Sequence, residues 1–112
     1  MYTQKTVIRA PIGKMDELRK IITDKYLPVV SARPGFVGAC LLEQTDDTDC
    51  CELLIFWDNQ DSIEAFHRTG FLESSLHKVA VELPGARIQR QGYVIRVTAG
   101  ELSTIAQKEA RA

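Results

Sequence analysis

Residues 33–69 read RPGFVGACLLEQTDDTDCCELLIFWDNQDSIEAFHRT, and this stretch decides the fold. It opens on Arg33-Pro34-Gly35, a stop signal. Proline pushes the residue before it out of the helical region, and glycine turns the chain at no steric cost. Phe36 to Glu43 is an apolar run bounded by turns and too short for a helical pattern, which reads as a strand. Thr45 to Asp49 is polar and acidic, the composition of a hairpin loop. Cys50 to Trp57 is the returning strand. One face carries Cys51, Leu53, Ile55 and Trp57, the other Cys50, Glu52, Leu54 and Phe56, and both are apolar over most of their length. A strand with one face in water alternates apolar with polar, so this one predicts cover on both sides.

A chain of 112 residues makes one layer of helices on one layer of sheet, hiding ~65% of the unfolded surface. The helices cover one face. A second copy of the chain is the expected cover for the other, giving a homodimer through the open sheet face. A C-terminal segment folded over that face is the alternative.

Working outward, Asp58-Asn59-Gln60-Asp61-Ser62 offers Asp58 or Asn59 as the N-cap of a helix. Ile63 and Phe66 face inward, and Thr69-Gly70 breaks the helix. Phe71, Leu72, Leu76, Val79, Ala80 and Leu83 describe a second piece, ended by Pro84-Gly85. Upstream, Tyr2 to Ala10 reads as the first strand. Met15, Leu18, Ile22, Tyr26 and Val29 then recur at helical spacing opposite Glu17, Lys20 and Asp24. Pro28 is expected to kink that helix or to begin a short second piece. Downstream, Arg87 to Thr98 reads as the last strand, with Tyr93, Ile95 and Val97 on one face. Residues 1–99 thus form one α+β domain with the ferredoxin-like order β-α-β-β-α-β, an antiparallel sheet and a second helix broken in two. Residues 100–112 are a tail that reads either as a docked helix or as a frayed end.

Composition excludes several classes of function. Apolar residues make up 45% and charged residues 26%, with a net charge of −1, as in ordinary globular domains. No basic stripe suggests a nucleic-acid partner. No apolar run approaches the ~20 residues that span a bilayer. The N-terminus MYTQKTVIRAP lacks the apolar core of a signal peptide, so the cytoplasm is the expected location. Cys40, Cys50 and Cys51 lie in strand-like runs without ligand spacing, and read as small buried hydrophobes in a reducing compartment. His67 and His77, ten residues apart without paired carboxylates, make no recognised metal site.

Pro34-Gly35-Phe36-Val37 opening the second strand, Phe56-Trp57-Asp58 closing the third, and Glu64-Ala65-Phe66-His67-Arg68-Thr69 in the next helix resemble the antibiotic biosynthesis monooxygenase family. The correspondence covers nearly the whole chain before Gly100. The resemblance implies a dimeric α/β barrel in which two sheets pair face to face. It also implies an oxygenase of anthrones or hydroquinones that needs neither metal nor flavin. Other members degrade haem, isomerise a signal molecule or have no known activity. Four positions depart from the family pattern. Leu53 stands where some polyketide-acting members carry asparagine. Phe66 stands where haem-degrading members carry a second tryptophan, and His77 is offset by one residue from their iron-holding histidine, about 100° round a helix. Phe71 stands where many members have histidine. Haem degradation is therefore disfavoured, and no cofactor is expected.

Cofactor-free oxygenation asks for a dry apolar site that holds a flat ring, a proton acceptor, and a donor for the developing oxyanion. Trp57 can stack a ring and donate through its indole N–H. His67 and His77 have ordinary pKa values near neutrality. These three are the catalytic candidates. Tyr93, Phe66, Phe71 and Arg96 are the substrate-binding candidates, with Arg9 as a further donor if it faces the pocket. Each has a plainer reading: Trp57 as a core aromatic, the histidines as helix-surface residues, Tyr93 as packing, the arginines as surface or interface residues. The expected function is a monooxygenase acting on a small aromatic phenol, quinol or polyketide-like compound. The alternative is a non-catalytic binding or stress-response module on the same barrel, with a small apolar space beside Trp57.

Overall fold

The computed structural model describes residues 1–102. Four strands form one antiparallel sheet: β1 (Tyr2–Arg9), β2 (Phe36–Glu43), β3 (Cys50–Trp57) and β4 (Arg87–Val94), in the order β2-β3-β1-β4. The intervening helices are α1 (Met15–Ile21), α2 (Leu27–Ser31), α3 (Gln60–Arg68) and α4 (Phe71–Glu82), with a π-helical turn, Ile22–Tyr26, joining α1 to α2. This is the ferredoxin-like plan, and the boundaries of β2 and β3 fall where the turn signals put them. None of the helices is long and apolar enough to cross a membrane, among the described residues. The tail reading concerns residues 100–112, which from residue 103 lie outside the described residues.

Local chemistry accounts for each break. Pro28 has no N–H, and in a regular helix its ring would meet the carbonyl of Asp24. The chain opens into a π turn just before it, so that the Leu27 N–H bonds to the Ile22 carbonyl five residues back. Asn59, not Asp58, is the N-cap of α3: its Oδ1 accepts from the Ser62 N–H at 2.9 Å. Gly70, at φ 70°, ends α3 and starts α4. The last strand stops at Val94 rather than running to Thr98, because Val94 already pairs with Tyr2 and its neighbour Ile95 bonds to the Met1 carbonyl.

Register sorts the side chains. Tyr2 opposes Trp57, Gln4 opposes Ile55, Thr6 opposes Leu53 and Ile8 opposes Cys51, so these eight share the face beneath the helices. The core there gathers Ile8, Leu18, Ile22, Val30, Leu53, Ile55, Trp57, Phe66, Leu72, Val79 and Leu83. The opposite face carries Lys5, Val7, Cys40, Leu42, Cys50, Glu52, Leu54, Phe56 and Tyr93. Within one chain no helix covers it among the described residues, and Leu42 and Tyr93 are exposed. The cysteines divide accordingly. Only Cys51 is buried, with its thiol pushed up to about 11, first by desolvation. Cys50 is half-buried and Cys40 exposed, which corrects the reading of all three as buried: two of them belong to the open face.

Candidate functional site

An apolar cleft of about 60 Å³ opens between the π turn and α4, over β1, β3 and β4. Thr6, Ile8, Leu53 and Ile88 form its floor; Ile22, Tyr26, Phe71, Leu72 and Val79 form its walls. Phe71 and Tyr26 stack at 5.6 Å with 14° between their planes, so one wall is a flat aromatic surface. Phe71 meets Phe66 at 6.2 Å, Phe66 meets Trp57 at 5.5 Å, and Trp57 meets Phe36 edge-on at 6.2 Å. The aromatic residues therefore run as one chain from the cleft to the far end of the core.

Two polar residues are buried beneath the helices, Gln4 and Thr6 at 3% and 4% exposure, consecutive on the inner face of β1. Thr6 lines the cleft. Gln4 reaches the last turn of α3, where its Nε2 lies 3.2 Å from His67 Nε2. Its Oε1 is enclosed without a partner among the described residues, as is Trp57 Nε1. Burial, and then the positive charge of Arg90, hold His67 below its ordinary 6.5; Glu73 and Glu64 oppose this. Burial and the Arg90 charge both favour the neutral form of His67. Arg90 and Glu73 pair at 3.6 Å.

The sequence-derived candidates separate. Phe71 lines the cleft and Phe66 packs behind it, whereas His67, bonded to Gln4, is not among the cleft-lining residues. Trp57 is fully buried, at 0% exposure, and is not among the cleft-lining residues. His77 is exposed on α4. Tyr93 opposes Thr3 on the far side of the sheet, Arg9 lies on that side bonded to Asp47 at 2.7 Å, and Arg96 is exposed beyond β4. Gln4, Thr6 and Tyr26 were missed. A signal for the first two exists: Lys5 and Arg9 alternate with them in β1 and claim the outer face, leaving Gln4 and Thr6 inside. No group of three or more His, Cys, Asp or Glu stands close enough to hold a metal ion among the described residues.

The family model for antibiotic biosynthesis monooxygenases matches residues 1–82. Among solved structures, SnoaB, a cofactor-independent oxygenase from Streptomyces nogalater, is similar with a TM-score of 0.68 at 20% identity, over 87% of this chain and 94% of that one. A protein of Chloroflexus aurantiacus J-10-fl, provisionally named an antibiotic biosynthesis monooxygenase, has a TM-score of 0.64 at 18% identity, over 88% and 96% of the two chains. A conserved protein of Methanosarcina mazei Go1 has a TM-score of 0.68 at 9% identity, over 86% and 94%. At these identities the structural likeness is one of fold. No curated protein matches the sequence.

Proposed function

The chain belongs to the antibiotic biosynthesis monooxygenase family, and from that premise we propose that it is a cofactor-independent monooxygenase of a small phenol, quinol or related polyketide-like compound. One observation carries this reading: an apolar, aromatic-walled cleft is lined by buried Thr6, and Gln4, next to Thr6 on the inner face of β1, bonds His67. At about 60 Å³ the cleft is far below the ~300–1,000 Å³ of sites that enclose drug-sized ligands. It suits a single ring better than a fused tricycle.

The reaction needs little machinery. The phenol or quinol loses its O–H proton to a base, and the anion delocalises onto a ring carbon that bears one hydrogen. The anion passes one electron to O₂, and the radical and superoxide combine into a C–O bond at that carbon. Protonation of the peroxide, loss of the remaining C–H proton and O–O cleavage leave a quinone carbonyl and water, so one oxygen atom enters the product and the other leaves. His67 is our candidate to accept the first proton. Burial favours its neutral form, and the Gln4 side-chain amide orients the ring. The apolar walls exclude water from the anion. Trp57 supports Phe66 from behind rather than meeting the ring.

The same reading includes a homodimer closed through the open sheet face. Leu42, Leu54, Phe56 and Tyr93 would be covered, and the Lys5–Glu52 pair, 3.5 Å apart, would become enclosed. A non-catalytic binding or stress-response module remains the second reading, favoured by Leu53 on the cleft floor and by the small volume.

Oxygen uptake over a panel of hydroquinones and anthrones, with chelator present and autoxidation subtracted, tests the enzyme reading. The expected outcome is uptake above the blank that falls at least ~10²-fold in His67→Gln, the low end for loss of a general base. No uptake across the panel would overturn the enzyme reading in favour of the binding module.

A further inference from the structure

Tyr26 and Thr6 are 7% and 4% exposed, and both line the cleft. Among the described residues neither hydroxyl has a hydrogen-bond partner. Neither hydroxyl oxygen is among the fully enclosed unpaired atoms, and both residues line the cleft. Accessible hydroxyls without a protein partner can turn their hydrogen bonds from water to a polar group of a ligand in the cleft. Tyr26 is the last residue of the π turn, a distortion that recurs at functional sites because it re-aims a side chain at the expense of regular helix. Its ring is held flat against Phe71, which fixes the direction of the hydroxyl.

We propose that Tyr26 and Thr6 form a two-hydroxyl donor pair that binds the oxygen of a phenolate or enolate ligand in this cleft. The proposal rests on the function argued above and deepens it by naming the oxyanion site. A hydroxyl pair suits an anion that forms during reaction, because neutral donors gain strength as charge develops and do not trap a permanent anion in the ground state. Burial raises the Tyr26 hydroxyl well above its ordinary range, with Arg90 opposing and Glu73 adding, so it stays an O–H donor at neutral pH. The charged groups facing the cleft are few. Lys25 is paired with Glu82 at 3.0 Å, Arg90 with Glu73, and Lys78 stands at the rim.

4-Nitrophenol reports the pair directly, since its absorbance separates phenol from phenolate. An apolar cleft without donors raises the pKa of a bound phenol by desolvation; a cleft with two donors lowers it. In the unmodified protein, the bound probe is expected to titrate about one unit below the free probe, a tenfold preference for the anion. Tyr26→Phe keeps the stack on Phe71, and Thr6→Val keeps the shape. Each is expected to remove most of the shift, while Thr6→Ser restores it. A shift that survives both variants but disappears in Lys78→Met would assign it to the rim charge and overturn the proposal. So would a bound probe whose pKa is raised in the unmodified protein. Oxygen uptake separates the two ideas: a protein that binds the phenolate through both hydroxyls yet consumes no oxygen keeps the subsite and loses the oxygenase.

Discussion

At the scale of single residues, burial decides what Trp57 can tell an experimenter. It is wholly enclosed between Phe36 and Phe66, and its Nε1 has no partner among the described residues. Trp57→Ala opens a large cavity, at a cost of ~3–5 kcal/mol, a large share of the ~5–15 kcal/mol that holds a domain together. Loss of turnover in that variant would therefore report unfolding as readily as chemistry. Trp57→Phe keeps an aromatic ring and removes the unpaired N–H. Its urea midpoint is expected to imply a loss of less than about 2 kcal/mol, because relief of the orphaned donor offsets part of the lost volume. His67 makes a pH prediction whose sign follows from its environment. Its folded pKa lies below 6.5, so below that pH the unfolded chain binds more protons. Stability from this group is complete above pH 6.5 and is lost as pH falls through the folded value. His67→Gln is expected to flatten the fall in urea midpoint between about pH 7 and 5. A slope equal to that of the unmodified protein would refute the assignment.

At the scale of elements, two junctions hold the helices over the sheet. Gly35 has φ 84°, and a Cβ there would collide with Ser62 Oγ and Asp58 Oδ1 at the start of α3. The Asp58 N–H also bonds to the Gly35 carbonyl at 2.9 Å. Gly35→Ala combines roughly 1–2 kcal/mol of left-handed backbone strain with that collision. Its Tm is expected to fall by about 8 °C or more in a domain of this size. Asn59→Ala removes only the cap of α3, costing ~1 kcal/mol, and should lower the Tm by roughly half as much. Thermal melts followed by far-ultraviolet circular dichroism rank the two; the reverse order would show that Gly35 is not a close-contact site. Both junctions were announced in the sequence, the first by Pro34-Gly35 and the second by the Asp58-Asn59 pair. The π turn was not. Pro28 foretold a break, but whether the helix kinks, ends or widens depends on what its buried side chains meet, and Ile22 and Tyr26 meet the sheet and Phe71.

At the scale of the whole molecule, the open sheet face sets the expectation. Its apolar residues Val7, Leu54 and Phe56 are half-buried by their neighbours alone, and Leu42 is exposed. If a second copy covers this face, light scattering at micromolar concentration should give twice the 12.6 kDa of one chain. Phe56→Lys, which places a charge on that face, should give the single-chain mass while keeping its helical circular dichroism. A single-chain mass for the unmodified protein would sink the homodimer.

The sequence alone determined the element order, both hairpin strands to the residue, the split of the second helix and the two-sided apolar character of β3. All of these follow from local chemistry: turn residues, caps and a period of two or three and a half act within a few neighbours. Tertiary structure decided which face each strand presents to the helices, and with it which residues line the cleft. Trp57 and Tyr93 lie on opposite faces of the sheet, although each looked suited to the same pocket. Gln4 and His67 meet although they stand 63 positions apart, and Thr6 and Tyr26 line one cleft from different elements. Nothing local in the chain links β1 to the end of α3. Only strand register and the packing of α3 and α4 over β1 bring a glutamine and a histidine within 3.2 Å of each other.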